Sequence, residues 1–308
     1  MKSPYKFITI REYLMKGVFF LCAFFSIFAL ITIVIYLFIN GIPFINKVGI
    51  SNFLFGSNWS PVSENPSYGI LNMTVTTLYV TSLAVIIGTF FGVFTAVALY
   101  KFIKIKIVKI ISQLVNLLAG IPSVIYGLFG MSIIVPFVRD YISPNGVGYG
   151  ILSTSIVLAI MILPTIVSVS LDALNAVSEK YFEGALALGA TREQATFKIM
   201  LPSAKSGILA GVVLGTGRAL GETMAVIMVI GGSPQMPTSL FQSVRTLTSN
   251  IAMGAMELSG DPLNALIATG CILFVFAFLL NLCFSLLKKD KTERKKKKYE
   301  HKQKLQEK

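Results

Sequence analysis

Residues 206–230 read SGILAGVVLGTGRALGETMAVIMVI. As a helix the stretch is about 37 Å long, enough to cross the roughly 30 Å hydrocarbon core of a bilayer. Reading it as a membrane span sets the fold class: an all-α, polytopic membrane protein. The stretch carries two charges, Arg218 and Glu222, four positions apart. Arg218 is twelve residues beyond Ser206, about 18 Å along a helix and hence near the bilayer midplane. A cation at that depth costs roughly 2.5–3.5 kcal/mol on insertion scales. In an uninterrupted helix Glu222 lies one turn on and on the same face, where it partly neutralises Arg218. Gly211, Gly215, Gly217 and Gly221 surround the pair and let neighbouring helices approach closely. The pair therefore faces protein or a watery path. Two readings stay open: an ion pair that pins the helix, or a transport site where Arg218 meets an anion. The GTGRALG segment is no dinucleotide fingerprint, because its third glycine is one position late and no strand precedes it.

Five more apolar runs complete the set, over about 17–39, 70–100, 114–138, 149–171 and 263–287. Gly120, Pro122, Gly127 and Gly130 interrupt the third, and Pro164 lies in the fourth. Such residues are tolerated in a span when neighbours or cavities satisfy the freed backbone. The first run is too long for a signal-peptide core and is read as retained. Composition agrees: 54% of the residues are hydrophobic and 13% charged, with a mean hydropathy of +0.75. Soluble domains average about 25% charged residues. The cysteines, Cys22, Cys271 and Cys283, fall within apolar runs, which argues against a disulfide framework or a zinc site. The one histidine, His301, lies in the polar tail, so no metal site or catalytic triad is expected in the core. No nucleotide-binding P-loop pattern occurs.

The net charge of +13 is not a nucleic-acid footprint, because the cations cluster at the ends of the apolar runs. Lys2, Lys6, Arg11 and Lys16 precede the first run, and Lys101, Lys104, Lys106 and Lys109 follow the second. Lys180, Arg192, Lys198 and Lys205 follow the fourth, and the tail holds Lys288, Lys289 and a KKKK run at 295–298. With six spans these four regions share one side, and the opposite loops hold only Lys47, Arg139 and Arg245. The positive-inside rule makes both termini cytoplasmic. Three regions follow: a cytoplasmic N-terminal segment at 1–16, a permease-like membrane domain at 17–287, and a basic cytoplasmic tail at 288–308. The tail reads as a solvated, partly disordered run that contacts anionic membrane lipid. Trp59 and Tyr68, in the polar outer loop, are expected near the headgroups.

The cytoplasmic loop at 178–202, SEKYFEGALALGATREQATFKIMLP, has the signals of ordered structure. Ser178 is placed to cap a first helix running to Leu188, with Glu179 in its first turn. Gly189 suits the left-handed position that ends it. Thr191 and Gln194 form a T-x-x-Q capping box for a second helix, which Pro202 ends. The small residues Gly184, Ala185 and Ala187 let a partner backbone approach, as a short helix inserted in a groove requires.

The same loop carries a family resemblance. Glu183, Gly184, Ala185, then Gly189 after three residues, Ile199 after nine more, and Leu201-Pro202 resemble the EAA loop of ABC-importer permeases. The one departure is Gly184, where alanine is usual. The resemblance implies a type I ABC-importer permease fold. It also implies a coupling helix seated in a cytoplasmic ATPase subunit, with Glu183 as polar anchor and Gly189 as turn. GRALGETMA at 217–225, SVRTLTSNIA at 243–252, YGIL at 68–71 and AGIPSVIYG at 119–127 are similar to phosphate-importer permeases of the PstC type. That branch implies a non-enzymatic subunit in the plasma membrane of a prokaryote, with Arg218 and Glu222 implicated in phosphate translocation. Its partners would be a second permease (PstA type), a dimeric cytoplasmic ATPase (PstB type) that uses the ATP, and an extracytoplasmic phosphate-binding protein (PstS type). The chain itself would bind no cofactor. Two alternatives are a permease for another oxyanion, such as molybdate or sulfate, and a secondary transporter needing no ATPase. The 178–202 loop and the lack of an inverted repeat among the spans speak against the second.

Overall fold

The structure is a computed structural model that describes the backbone of residues 4–306 and the side chains of residues 12–283. Six helical stretches among them are long and apolar enough to cross a membrane: Glu12–Val48, Leu71–Phe102, Ser123–Ile142, Ile151–Asn175, Arg192–Gly221 and Asp261–Cys283. They derive from α1 (Pro4–Val48), α3 (Leu71–Val97), α5 (Ser123–Phe129) with α6 (Val135–Phe137), α7 (Ile151–Asn175), α9 (Arg192–Ala195) with α10 (Leu201–Gly221), and α13 (Asp261–Gln306). Shorter helices connect them: α2 (Ile50–Phe55), α4 (Ile105–Gly120), α8 (Glu179–Ala187), α11 (Met224–Ile230) and α12 (Leu247–Gly254). A two-stranded antiparallel ribbon, β1 (Trp59–Ser60) with β2 (Ser67–Tyr68), closes the outer loop and pairs Trp59 with Tyr68.

Helix α7 is the axis of the bundle, and glycine explains why. Gly88 and Gly92 of α3 leave the space that Ile162 and Ile166 of α7 fill. Gly211 and Gly215 of α10 do the same from another side, against Val169, Ile166 and Ile162. Ile162 and Ile166 are consequently fully enclosed. Lipid tails are as apolar as leucine, so close backbone approach and dispersion, rather than water exclusion, hold such helices together.

The third crossing is separated from α4 where Ile121 and Pro122 leave helical geometry. On one side α4 packs Val108, Ile111 and Val115 along Leu171, Val167 and Leu163 of α7. On the other, α5 sets Gly127 against Ala225 and Met228 of α11. The Tyr126 hydroxyl donates to the Leu118 carbonyl at 2.7 Å and bridges the gap. Helix α1 leans on α13, where Gly41 admits Cys271 and Ala268 and Lys47 pairs with Asp261 at 2.5 Å.

Three expectations change. Trp59 is buried, edge-on to Tyr68 at 6.2 Å and in one cluster with Phe44 and Phe53, so it packs the outer loop rather than facing headgroups. Pro202 does not end a helix. The wide turn Thr196–Met200 precedes it, and the helix runs on from Arg192 to Gly221. Such a turn interrupts the regular ladder where proline lacks its N–H. The basic tail is also not irregular, because α13 continues to Gln306 as helix. Lysine and glutamate are good helix formers, so polarity alone did not signal irregular backbone there.

Candidate translocation site and coupling surface

The stretch at 206–230 is two helices, not one. Helix α10 ends at Gly221, Glu222 is extended at φ −68° and ψ 132°, and α11 begins at Met224. The expected ion pair is thereby lost. Among the described residues the ion pairs are Lys47–Asp261, Lys101–Glu179 and Arg139–Asp140, and neither Arg218 nor Glu222 takes part. Glu222 instead turns its carboxylate to α11 and accepts from the Ala225 N–H at 3.1 Å. That satisfies one of the amides a helix start leaves unpaired.

A distant segment supplies the partner that holds the break. The Thr248 hydroxyl donates to the Glu222 carbonyl at 3.0 Å, relieving an oxygen that would otherwise be stranded between helices. Thr248 belongs to α12, whose first four residues are all buried. Thr246 caps that helix reciprocally with Ser249, at 3.2 Å and 2.9 Å. The Leu247 N–H donates to the Thr77 hydroxyl of α3 at 3.0 Å, and Thr77 donates in turn to the Met73 carbonyl at 2.7 Å. Thr77 and Thr248 thus position the site, although their pattern on a helix reads equally well as packing.

Arg218 lies one turn beyond Gly215, which packs at the middle of α7. It is half-buried and makes no hydrogen bond or ion pair to the described residues. The four glycines separate into two pairs. Gly211 and Gly215 seat α10 on α7, whereas a Cβ at Gly217 or Gly221 would meet open space. Leu214, Gly217, Arg218 and Gly221 follow helical spacing, so Arg218 borders an unfilled side of α10. Arg218 therefore stands at the rim of an open strip, one turn before the helix break at Glu222.

At the lysine-rich end the 178–202 loop forms α8 and α9 joined by a tight turn. Gly189 has φ +85° with nothing near its Cβ direction, so the turn demands glycine for conformation rather than for space. The Thr191–Gln194 capping box is present in both directions. Ser178 takes the cap position without a side-chain bond, and Glu179 instead pairs with Lys101 at 2.6 Å. Lys101 also sits over the Phe182 ring at 4.7 Å. Ala185 is buried with Phe182, Ala195 and Met200, and Ile199 packs on the same cluster, so both secure the loop to its own bundle. Leu201 packs with Leu174 and Ala204, while Pro202 is exposed. The open face consists of Glu183, Gly184, Ala187 and Gly189. Leu188, 91% exposed, projects beside them.

Arg245, between α11 and α12, is the other half-buried arginine among the described residues. It donates from Nε to the Gly232 carbonyl at 2.7 Å and from Nη1 to Asn250 Oδ1 at 3.1 Å. Burial pushes its guanidinium below the ordinary arginine value. No cluster of three or more metal-ligating side chains occurs among the described residues.

A bundle of six crossings, broken at mid-depth and carrying a two-helix loop on the lysine-rich end, defines a membrane-embedded transport subunit. The chain belongs to the family of binding-protein-dependent transport system inner membrane components, whose family model matches residues 88–292. It is 37% identical to the probable ABC transporter permease protein YqgH of Bacillus subtilis, over 86% of this chain and 87% of that protein. It is 36% identical to the phosphate transport system permease protein PstC of Mesorhizobium japonicum, over 74% and 75% of the two chains. In fold it is similar to a bacterial ABC transporter that imports the polysaccharide alginate, with a TM-score of 0.64, 18% identity, and 93% and 98% of the chains covered. The methionine transporter MetNI gives a TM-score of 0.57 at 20% identity, covering 72% and 95%. The protein is accordingly a multi-pass membrane permease subunit of an ABC importer, a class that works with an ATPase and a binding protein.

Proposed function

We propose that this chain is one of two permease subunits of an ATP-driven phosphate importer in a prokaryotic plasma membrane. The carrying observation is Arg218, a mid-depth cation without an acid partner among the described residues, in a chain whose relatives include phosphate permeases. Its partners are a PstA-type permease, a PstB-type ATPase dimer that uses the ATP, and a PstS-type phosphate-binding protein. The chain binds no cofactor and catalyses no bond cleavage of its own. Its permease domain spans 17–287, and both termini, the 178–202 loop and the basic tail at 288–308 are cytoplasmic. The lysine distribution supports that orientation.

ATP binding closes the ATPase dimer and draws on the face formed by Glu183, Gly184, Gly189 and Leu188. Ala185, Ile199, Leu201 and Pro202 transmit that movement because they belong to the packed base of the loop and its continuation into α10. The pull therefore reaches Arg218 along one helix. Phosphate enters the open strip along Gly217 and Gly221 and meets Arg218, where a low dielectric strengthens attraction several-fold over water. Glu222 maintains the break in that path by capping α11.

The test is radiolabelled phosphate uptake in cells lacking their own importer and supplied with the chain and its three partners. Saturable, ATP-dependent uptake that excess sulfate and molybdate leave intact is expected. Uptake suppressed by sulfate or molybdate as strongly as by unlabelled phosphate would reassign the substrate.

A further inference from the structure

The outer end of the bundle contains a half-open cavity of about 380 Å³ lined by Trp59, Pro234, Arg245, Asn250 and Glu257 among others. Its volume lies within the range of small-molecule sites, about 300–1,000 Å³. The charge accounting around it is incomplete. Of the three cations that lie between the spans at this end, Lys47 pairs with Asp261 and Arg139 with Asp140. Arg245 has only a neutral carbonyl and a neutral amide as partners. A guanidinium has five N–H donors, so most of its donor capacity is unspent. A half-buried cation in that condition is costly unless something supplies negative charge.

Asn250 adds an independent sign. It is 1% exposed, and its Nδ2 has no acceptor among the described residues. The orientation of the amide is fixed, because Arg245 can only donate and therefore claims Oδ1. Two adjacent groups bordering one cavity thus lack the same thing, an acceptor, and one of them also lacks an anion. A tetrahedral oxyanion provides both.

We infer that this cavity is an oxyanion-receiving site, with Arg245 as the contact group and Asn250 as the second donor behind it, where the anion rests before reaching Arg218. The inference builds on the phosphate reading and adds an entry stage to it. Helix α12 joins the two stages, since Asn250 holds Arg245 and Thr248 holds the Glu222 carbonyl at the break. Glu257, exposed at the rim, is the acid that borders the cavity, and it limits how tightly the anion is held.

Trp59, the sole tryptophan of the sequence, borders the cavity and reports its occupancy. The full-length chain in nanodiscs is titrated with inorganic phosphate while Trp59 emission is followed. A saturable change is expected. Arg245→Gln should weaken it about tenfold, the loss of one charge-assisted contact. Glu257→Gln, an exposed position that does not endanger folding, should tighten it about threefold by removing a repulsive charge. Arg218→Gln should leave it unchanged. No saturable response to any oxyanion, or a Glu257→Gln response equal to or weaker than the parent's, would overturn the site. A response to anionic-lipid vesicles but to no inorganic oxyanion would assign the cavity to a lipid headgroup and overturn it as well. A response to sulfate in place of phosphate would keep the site and sink the phosphate assignment. Phosphate uptake with a silent Trp59 would do the reverse.

Discussion

Arg218 and Arg245 are both half-buried arginines without an acid partner among the described residues, yet their surroundings differ. Arg245 is tied by two hydrogen bonds to the Gly232 carbonyl and Asn250 and lines a half-open pocket. Arg218 is untied and borders the open strip of Gly217 and Gly221, next to a break in its own helix. A fixed cation suits reception, because its donors are already oriented. An untied cation suits passage, because it can follow the anion and then release it. On the proposed reading, the region of Arg245 holds the anion and the region of Arg218 lets it pass.

That contrast can be broken in several ways. The widest effect is expected at the drive. Gly189→Val forces a β-branched residue into φ +85°, a conformation it adopts only with strain. Uptake should fall by about 100-fold, of order 2.7 kcal/mol of lost coupling, while the ATPase of the assembled complex continues. Undiminished uptake at normal expression would remove the loop from the account.

Lysine substitutions separate the two arginines next. A lysine is a point charge and cannot reproduce the fork that reaches Gly232 and Asn250. Arg245→Lys should raise the half-saturating phosphate concentration about tenfold, whereas Arg218→Lys, which has no fork to lose, should cost about threefold. The opposite order, read from initial uptake rates, would dissolve the distinction.

Glu222 gives a smaller contrast. Glu222→Ala removes the acceptor for the Ala225 N–H, worth about 1 kcal/mol and hence about fivefold in uptake. Glu222→Gln retains that acceptor and should stay within about twofold of the parent. A Gln variant as impaired as the Ala variant would show that charge, not capping, is what Glu222 contributes. The least effect on transport is expected at the glycines. Gly215→Ala presses a methyl to 3.1 Å from Ile166 and should lower thermal stability by about 1–3 kcal/mol. Gly217→Ala, with open space before it, should leave the stability of the chain unchanged.

Much of this architecture is legible in the sequence. Run length gives the six crossings, and the chemistry of Thr191, Gln194 and Gly189 gives the turn between α8 and α9. These are local signals, decided within a few residues. The break at Glu222 is not legible, because LGTGRALGETMA has neither proline nor a turn sequence. What holds it is a contact from Thr248, 26 positions away, to the Glu222 carbonyl. The lost ion pair follows from that break, which turns the Glu222 carboxylate to the Ala225 N–H. The inward face of Ala185 is hidden for a related reason: a small residue fits an outer or an inner face equally well, and only the packing of Phe182, Ala195 and Met200 shows which. Trp59 lies on a two-residue strand whose pairing with Tyr68 has no periodicity to reveal it.

The account depends most on Arg218 serving passage and Arg245 serving reception. Phosphate uptake measured across concentration, for Arg218→Gln and Arg245→Gln at matched levels of assembled complex, separates those roles. Arg218→Gln should lower the maximal rate by about 100-fold, the scale expected when a preorganised charge is removed from a low-dielectric path. Arg245→Gln should raise the half-saturating concentration about tenfold with the maximal rate nearly kept. An Arg218→Gln complex that assembles normally and carries phosphate at the parental maximal rate would contradict the account and leave Arg218 as scaffold.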